Sequence, residues 1–181
     1  MEIVEHEYRL SYEYTKRKRT TQIILHCAAT PEGRDYDVMF IDRVHKGNGW
    51  NCIGYNYVIY RDGSIHRGRP EDVVGAHAGN LNWCSVGVCY IGGCATDGRT
   101  PKDTRTDAQK ESMYELVEYL MDKYRLKLED VHGHYESAAK ACPSFKMERF
   151  REEYKEWKEK KMKDLEKRIR GTKRCEVKEW F

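Results

Sequence analysis

The 181-residue sequence contains no apolar run approaching the ~20 residues of a membrane-spanning helix. Its first twenty residues, MEIVEHEYRLSYEYTKRKRT, lack the apolar stretch of a secretory signal, so a soluble product made in the cytoplasm is expected. No Cys-x-x-Cys pair occurs, which excludes a zinc finger, and there is no internal repeat or low-complexity tract. Net charge is scarce too. The 33 Lys and Arg stand against 30 Asp and Glu, and a balance of +3 carries no electrostatic signature of nucleic-acid binding. Seven cysteines cannot all pair internally, and without an export signal reduced thiols are expected, most of them small buried hydrophobes.

What is present is unevenly distributed. Residues 146–170 hold 11 basic and 7 acidic side chains, so a mildly acidic body is followed by a basic, highly charged tail. Within that tail Phe150, Tyr154 and Trp157 recur at helical spacing, a stripe suited to docking on the body, and beyond it a solvated helix is expected. The body alternates strand and helix signals. Tyr8, Leu10, Tyr12 and Tyr14 alternate with polar residues and predict a half-exposed strand; Gln22 to Cys27 and Val86 to Ile91 predict buried strands. Tyr55 to Tyr60 followed by Arg61-Asp62-Gly63 and Ser64-Ile65-His66 predicts a hairpin. Thr106 with Gln109 forms a capping box that opens a helix whose apolar face is Met113, Leu116, Val117, Leu120, Met121 and Tyr124. A short strand is expected at 130–134. The fold class is therefore α/β: a single domain with a central mixed sheet flanked by helices, plus a charged C-terminal helical extension.

Seven histidines offer metal ligands or neutral-pH acids and bases. His6, His45 and His66 sit among polar neighbours and read as surface residues. His26 ends a buried strand, where an α/β sheet opens onto a crevice, although a histidine there can equally be a satisfied structural residue. His132 and His134 lie two apart, and Cys142 follows eight residues after His134. Two imidazoles and a thiolate from distant segments would leave one tetrahedral position of a zinc ion open, as hydrolysis requires. Residue types alone leave several His/Cys triples possible.

The segment Ile24-Leu25-His26-Cys27-Ala28-Ala29-Thr30 resembles the first-ligand motif of zinc-dependent N-acetylmuramoyl-L-alanine amidases of the amidase-2 class. The resemblance is closest to the short amidase-type lysozymes of coliphages, and peptidoglycan recognition proteins share the fold. Further matches follow in order: Gly49-Trp50, Gly54-Tyr55, Arg61-Asp62-Gly63, Gly75-Ala76-His77-Ala78, Asn82, Ser85-Val86-Gly87-Val88, Gly92-Gly93, Gly133-His134 and Lys140-Ala141-Cys142-Pro143-Ser144-Phe145. They place an amidase domain at 20–158, between an N-terminal strand extension (1–19) and a charged tail (159–181).

The resemblance implies His26, His134 and Cys142 as zinc ligands and Tyr55 and Lys140 as the non-ligand catalytic groups. It also implies His77, Asn82 and Trp50 at the substrate. His132 would not be a ligand, and Cys27, next along the strand from His26, would point into the core. The implied reaction is hydrolysis of the amide joining N-acetylmuramic acid to L-alanine in peptidoglycan, with zinc-activated water as nucleophile and a phenol and an ammonium stabilising the oxyanion. The implied setting is endolysin-like lysis by a monomer that relies on a holin-type partner for release. A recycling amidase acting on soluble muropeptides and a non-catalytic peptidoglycan-binding module are the alternatives. Two departures stand out: Ala139 replaces the family's proline before Lys140, and Asn56 replaces a frequent histidine after Gly-Tyr.

Overall fold

A computed structural model describes residues 1–176, with side chains as far as residue 170. The chain divides into two units, Met1–Met147 and Glu148–Phe181. Residues 177–181, the end of the expected charged tail, lie outside the described residues.

The first unit is built on a six-stranded mixed sheet. Its strands are β1 (Ile3–Val4), β2 (Gln22–Cys27), β4 (Tyr57–Ile59), β5 (Ile65–Arg67), β6 (Ser85–Tyr90) and β8 (Val131–Gly133). They lie in the order β1-β5-β4-β6-β2-β8, and a separate two-stranded pair joins β3 (Thr30–Pro31) to β7 (Gly93–Cys94). β2 runs parallel to both β6 and β8, with His26 opposite Cys89 and Leu25 opposite Gly133. Parallel neighbours bring the C-terminal ends of β2, β6 and β8 to one edge, and sites gather at such an edge. The only antiparallel pair among the described strands of this sheet is the expected hairpin of β4 and β5. Asp62 closes its turn by accepting from the Ser64 backbone N–H and hydroxyl.

Two helices serve the sheet. α1 (Val38–Gly47) is capped by Asp37, whose carboxylate accepts from Phe40 N–H. Its Val38 and Ile41 join a buried cluster with Cys52, Ile53, Val58, Cys89 and Ile91. α2 (Asp107–Tyr124) opens with the predicted capping box between Thr106 and Gln109 and buries Met113, Leu116, Val117 and Leu120 completely. Each such side chain contributes about 1.5–3 kcal/mol of transfer free energy. Gln109 also donates through Nε2 to the carbonyls of Ile59 and Ile91, fastening the start of α2 to the ends of β4 and β6.

The segment from Tyr8 to Tyr14 differs from its predicted strand. It is irregular, because its backbone groups and aromatic tips find side-chain and loop partners instead of a ladder. Asn51 Oδ1 accepts from both Ser11 and Tyr12 N–H, Asn51 Nδ2 donates to Tyr12 O, and the Tyr8 hydroxyl donates to Arg67 O. The extended part at this terminus is β1, which pairs with β5.

The second unit is carried by the helix α3 (Met147–Glu176), which begins one residue before it. The predicted aromatic stripe lies along one face, with ring centroids 6.5 Å apart for Phe150–Tyr154 and 5.6 Å for Tyr154–Trp157. Further along, Met162, Leu165 and Ile169 are about half exposed among charged neighbours, as expected for a solvated helix. Among the described residues no helix is long and apolar enough to cross a membrane.

Candidate active site

The sheet edge gathers three donors from three segments. His26 is the penultimate residue of β2 and is 1% exposed; His134 opens a single 3-10 turn directly after β8. Cys142 lies on the following loop, tied back by Tyr135 N–H to Cys142 O and by Cys27 N–H to Cys142 Sγ at 3.3 Å. The next peptide bond, Cys142–Pro143, is cis, and Pro143 O accepts from the Tyr90 hydroxyl. One ligand atom from each of His26, His134 and Cys142 lies within 4.8 Å of the others, and among the described residues no second group of this kind occurs. His26 Nδ1 and Cys142 Sγ are 3.6 Å apart. Tetrahedral coordination with metal–nitrogen and metal–sulfur bonds of about 2.0 and 2.3 Å puts such atoms about 3.5 Å apart, so the donor set fits a small transition-metal cation.

Electrostatics agree with that use. Burial, then His77, then His134 hold His26 far below the ordinary imidazole range, and burial followed by Lys140 lowers His134. Both rings are therefore neutral at pH 7, the form that ligates. The hydrogen bond with Cys27, then burial, push the Cys142 thiol upward; a cation at the cluster acts in the opposite sense.

A groove of about 680 Å³ runs past the cluster, lined by Trp50, His77, Asn82, His134 and Lys140 among others. Each residue expected at the substrate touches it. Trp50 is 39% exposed and packs on His45 with centroids 4.5 Å apart. Asn82 Oδ1 accepts from His77 N–H and Ala78 N–H, which fixes the loop at 76–78. His77 is buried, with Nδ1 3.0 Å from His26 Nε2. Lys140 is exposed on the groove lip, and its charge contributes to the depression of both His26 and His134.

Tyr55 stands with its ring centroid 5.0 Å from that of His26. Burial, then the neighbouring thiols, raise its phenol well above the ordinary value, so it remains a hydrogen-bond donor at neutral pH. Asn56, the departure from the family pattern, is completely buried; its amide bridges Gly87 N–H of β6 and Pro70 O.

Sequence reasoning missed His45. Although read as a surface residue, it is 9% exposed, packs 5.3 Å from Tyr55 and accepts from Gly54 N–H at 2.9 Å. Its neighbour Asp42 accepts from Ile53 N–H. Helix α1 thus holds the backbone of residues 53 and 54. Burial, then the Arg69 charge, bring His45 down to about 4. The spacing of Val38, Ile41, Asp42 and His45 along one helical face was the available signal. His66 was also read as exposed; it is 9% exposed, stacked on Tyr60 at 3.5 Å. His132, not expected as a ligand, pairs with Glu136 at 3.2 Å, and Glu136 also accepts from Gly133 N–H beside His134.

The profile of the N-acetylmuramoyl-L-alanine amidase family matches residues 16–145. The chain belongs to that family. An endolysin of Klebsiella phage KP32 is 39% identical over 138 residues, which is 76% of this chain and 89% of the relative. An endolysin of Escherichia phage T7 is 38% identical over the same shares of the two chains. Among solved structures, N-acetylmuramoyl-L-alanine amidase LysC from Clostridium intestinale URNW superimposes with a TM-score of 0.72 at 30% identity, over 83% of this chain and 95% of that one. The family and the mixed α/β fold expected from the sequence are both borne out.

Proposed function

We propose that this amidase-family chain hydrolyses the amide between the lactyl group of N-acetylmuramic acid and L-alanine in peptidoglycan, using a zinc ion held by His26, His134 and Cys142. The observation that carries the reading is the three-donor cluster on the wall of an open groove, with spacing that suits a tetrahedral ion. When bound, zinc supplies Lewis acidity and brings the pKa of a coordinated water toward neutrality. The chain supplies the rest. Tyr55, kept as a neutral phenol by burial, donates a hydrogen bond to the oxygen of the attacked carbonyl as charge develops on it. The Lys140 ammonium adds a positive charge to the same developing oxyanion, and either group can pass a proton to the departing amine. Trp50 offers an apolar wall to sugar or stem peptide. With its Oδ1 engaged by the 77–78 backbone, Asn82 has its amide N–H groups for the substrate. His77 closes the floor of the groove.

The test is release of new L-alanine amino termini from purified cell wall and, in parallel, from soluble muropeptides. Release should cease when a chelator strips the protein and return on adding zinc. Full activity in the chelated protein would overturn the metal mechanism. Tight wall binding with no new amine would identify a binding module instead.

A further inference from the structure

The proposed ligand His26 has two ring nitrogens, and the structure gives them different partners. Nδ1 faces Cys142 Sγ at 3.6 Å, and Nε2 faces His77 Nδ1 at 3.0 Å. A neutral imidazole has one N–H and one lone pair, so the second contact decides what the first can do.

We propose that His77 is a positioning residue for the metal centre: its Nδ1 accepts the Nε2–H of His26, fixing the tautomer in which the Nδ1 lone pair points at the donor cluster. This inference rests on the reading of His26 as a ligand and adds to it the group that orients that ligand. Three observations support it.

The two rings meet nearly at right angles, at 86°, an arrangement in which the N–H of His26 addresses the in-plane lone pair of its neighbour. The His77 ring also occupies a slot that two glycines keep open. A Cβ on Gly75 would lie 2.3 Å from His77 Cδ2, and one on Gly87 would lie 2.6 Å from the same atom. The sequence has thus given up side chains on two separate segments to admit this ring. Finally, the far nitrogen, Nε2, is buried with no partner, so the contact of Nδ1 with His26 is the ring's one side-chain hydrogen bond among the described residues. With the lone pair of His26 Nδ1 turned to the donor cluster, the His26 hydrogen sits on Nε2, and Nδ1 of His77 is the acceptor. Most metal-ligating histidines are oriented by a carboxylate, carbonyl or water; here a second imidazole does it.

The experiment is competition for zinc between the full-length protein and a chromophoric chelator, with no substrate present. His77→Leu fills the slot but cannot accept, and should weaken zinc binding about 10–100-fold. His77→Asn places an amide oxygen near the position of Nδ1 and should recover most of that affinity. Wild-type affinity in His77→Leu, or equal losses in both variants, would overturn the proposal. A wild-type protein that binds no zinc would overturn this inference together with the metal mechanism. Wild-type zinc binding with an unaffected Leu variant overturns only the role of His77. Should the Leu variant fail to fold, long-range proton–nitrogen spectra of the metal-free wild-type protein decide the matter: His26 must carry its hydrogen on Nε2, and hydrogen on Nδ1 would sink the proposal.

Discussion

Among the described residues the molecule makes two histidine–histidine hydrogen bonds, and only one of them borders the three-donor cluster. His26–His77, at 3.0 Å, lies at the end of β2, one strand in from one edge of the sheet. His6–His66, at 2.8 Å, lies on β5, one strand in from the other edge. The rings of the first pair cross at 86°, and those of the second are nearly stacked at 25°. The decisive difference is what remains after the bond. His66 uses its second nitrogen on the Ser64 hydroxyl at 2.9 Å and lays its ring on Tyr60. His26 keeps its second nitrogen for Cys142 and His134. The two pairs therefore differ in the nitrogen each leaves unspent, and burial alone does not distinguish them.

The largest expected effect tests that contrast directly. Cys142→Ser should lose zinc and amidase activity together, activity by at least about 100-fold. His66→Phe, which keeps a ring on Tyr60, should leave zinc affinity unchanged. A zinc deficit in the His66 variant, measured with the same chelator, would erase the distinction between the pairs. Next is Tyr55→Phe, with kcat lower by about 100–1,000-fold if the phenol serves the oxyanion. Zinc content and circular dichroism should not move; a proportional zinc loss would instead make Tyr55 part of the metal's support.

Acid stability depends on how far burial lowers each imidazole. His45 falls to about 4 in the folded state, against an ordinary value of about 6.5 when unfolded. Between those values the unfolded chain binds the extra proton. The stabilisation is therefore complete above about pH 6.5 and lost as pH falls toward 4, up to about 3 kcal/mol. Urea unfolding at pH 7 and pH 5 should show a smaller difference in His45→Gln than in wild type. His66 is lowered in the same direction, by burial and then His6, so His66→Gln should flatten the curve too, by less. The smallest effect is expected for His6→Ala, about 1 kcal/mol of stability for one hydrogen bond, with no change in zinc affinity.

Much of this was legible in the sequence where local pattern and tertiary role coincide. β2 and β6 are continuous apolar runs because both faces are buried. The Thr106–Gln109 box marks the start of α2 because its residue types satisfy the helix's own first N–H groups. The donors His26, His134 and Cys142 could be named only through ordered family motifs, since nothing in residue spacing brings positions 26 and 142 together. Where local and tertiary demands part, the sequence misleads. The alternating tyrosines at 8–14 resemble a strand, but the alternation comes from aromatic side chains reaching separate partners such as Arg67 O and Cys52 Sγ. His45 and His66 have polar sequence neighbours, yet helix α1 and the β4–β5 hairpin turn them inward.

Gln109 has a consequence for how this fold tolerates change. One side chain closes a helix cap through its oxygen and holds two strand ends through its nitrogen. The connection that leaves β6 and returns at α2 is thereby pinned where it ends. Its outer turn closes on itself: Asp97 accepts from Arg99 and Thr100 N–H, and Ala95 N–H donates to Thr100 O. Length can be added near Gly98 as one lengthens a strap between two rivets. No residue of this turn lines the groove, which makes it a natural place to graft a targeting peptide onto the enzyme.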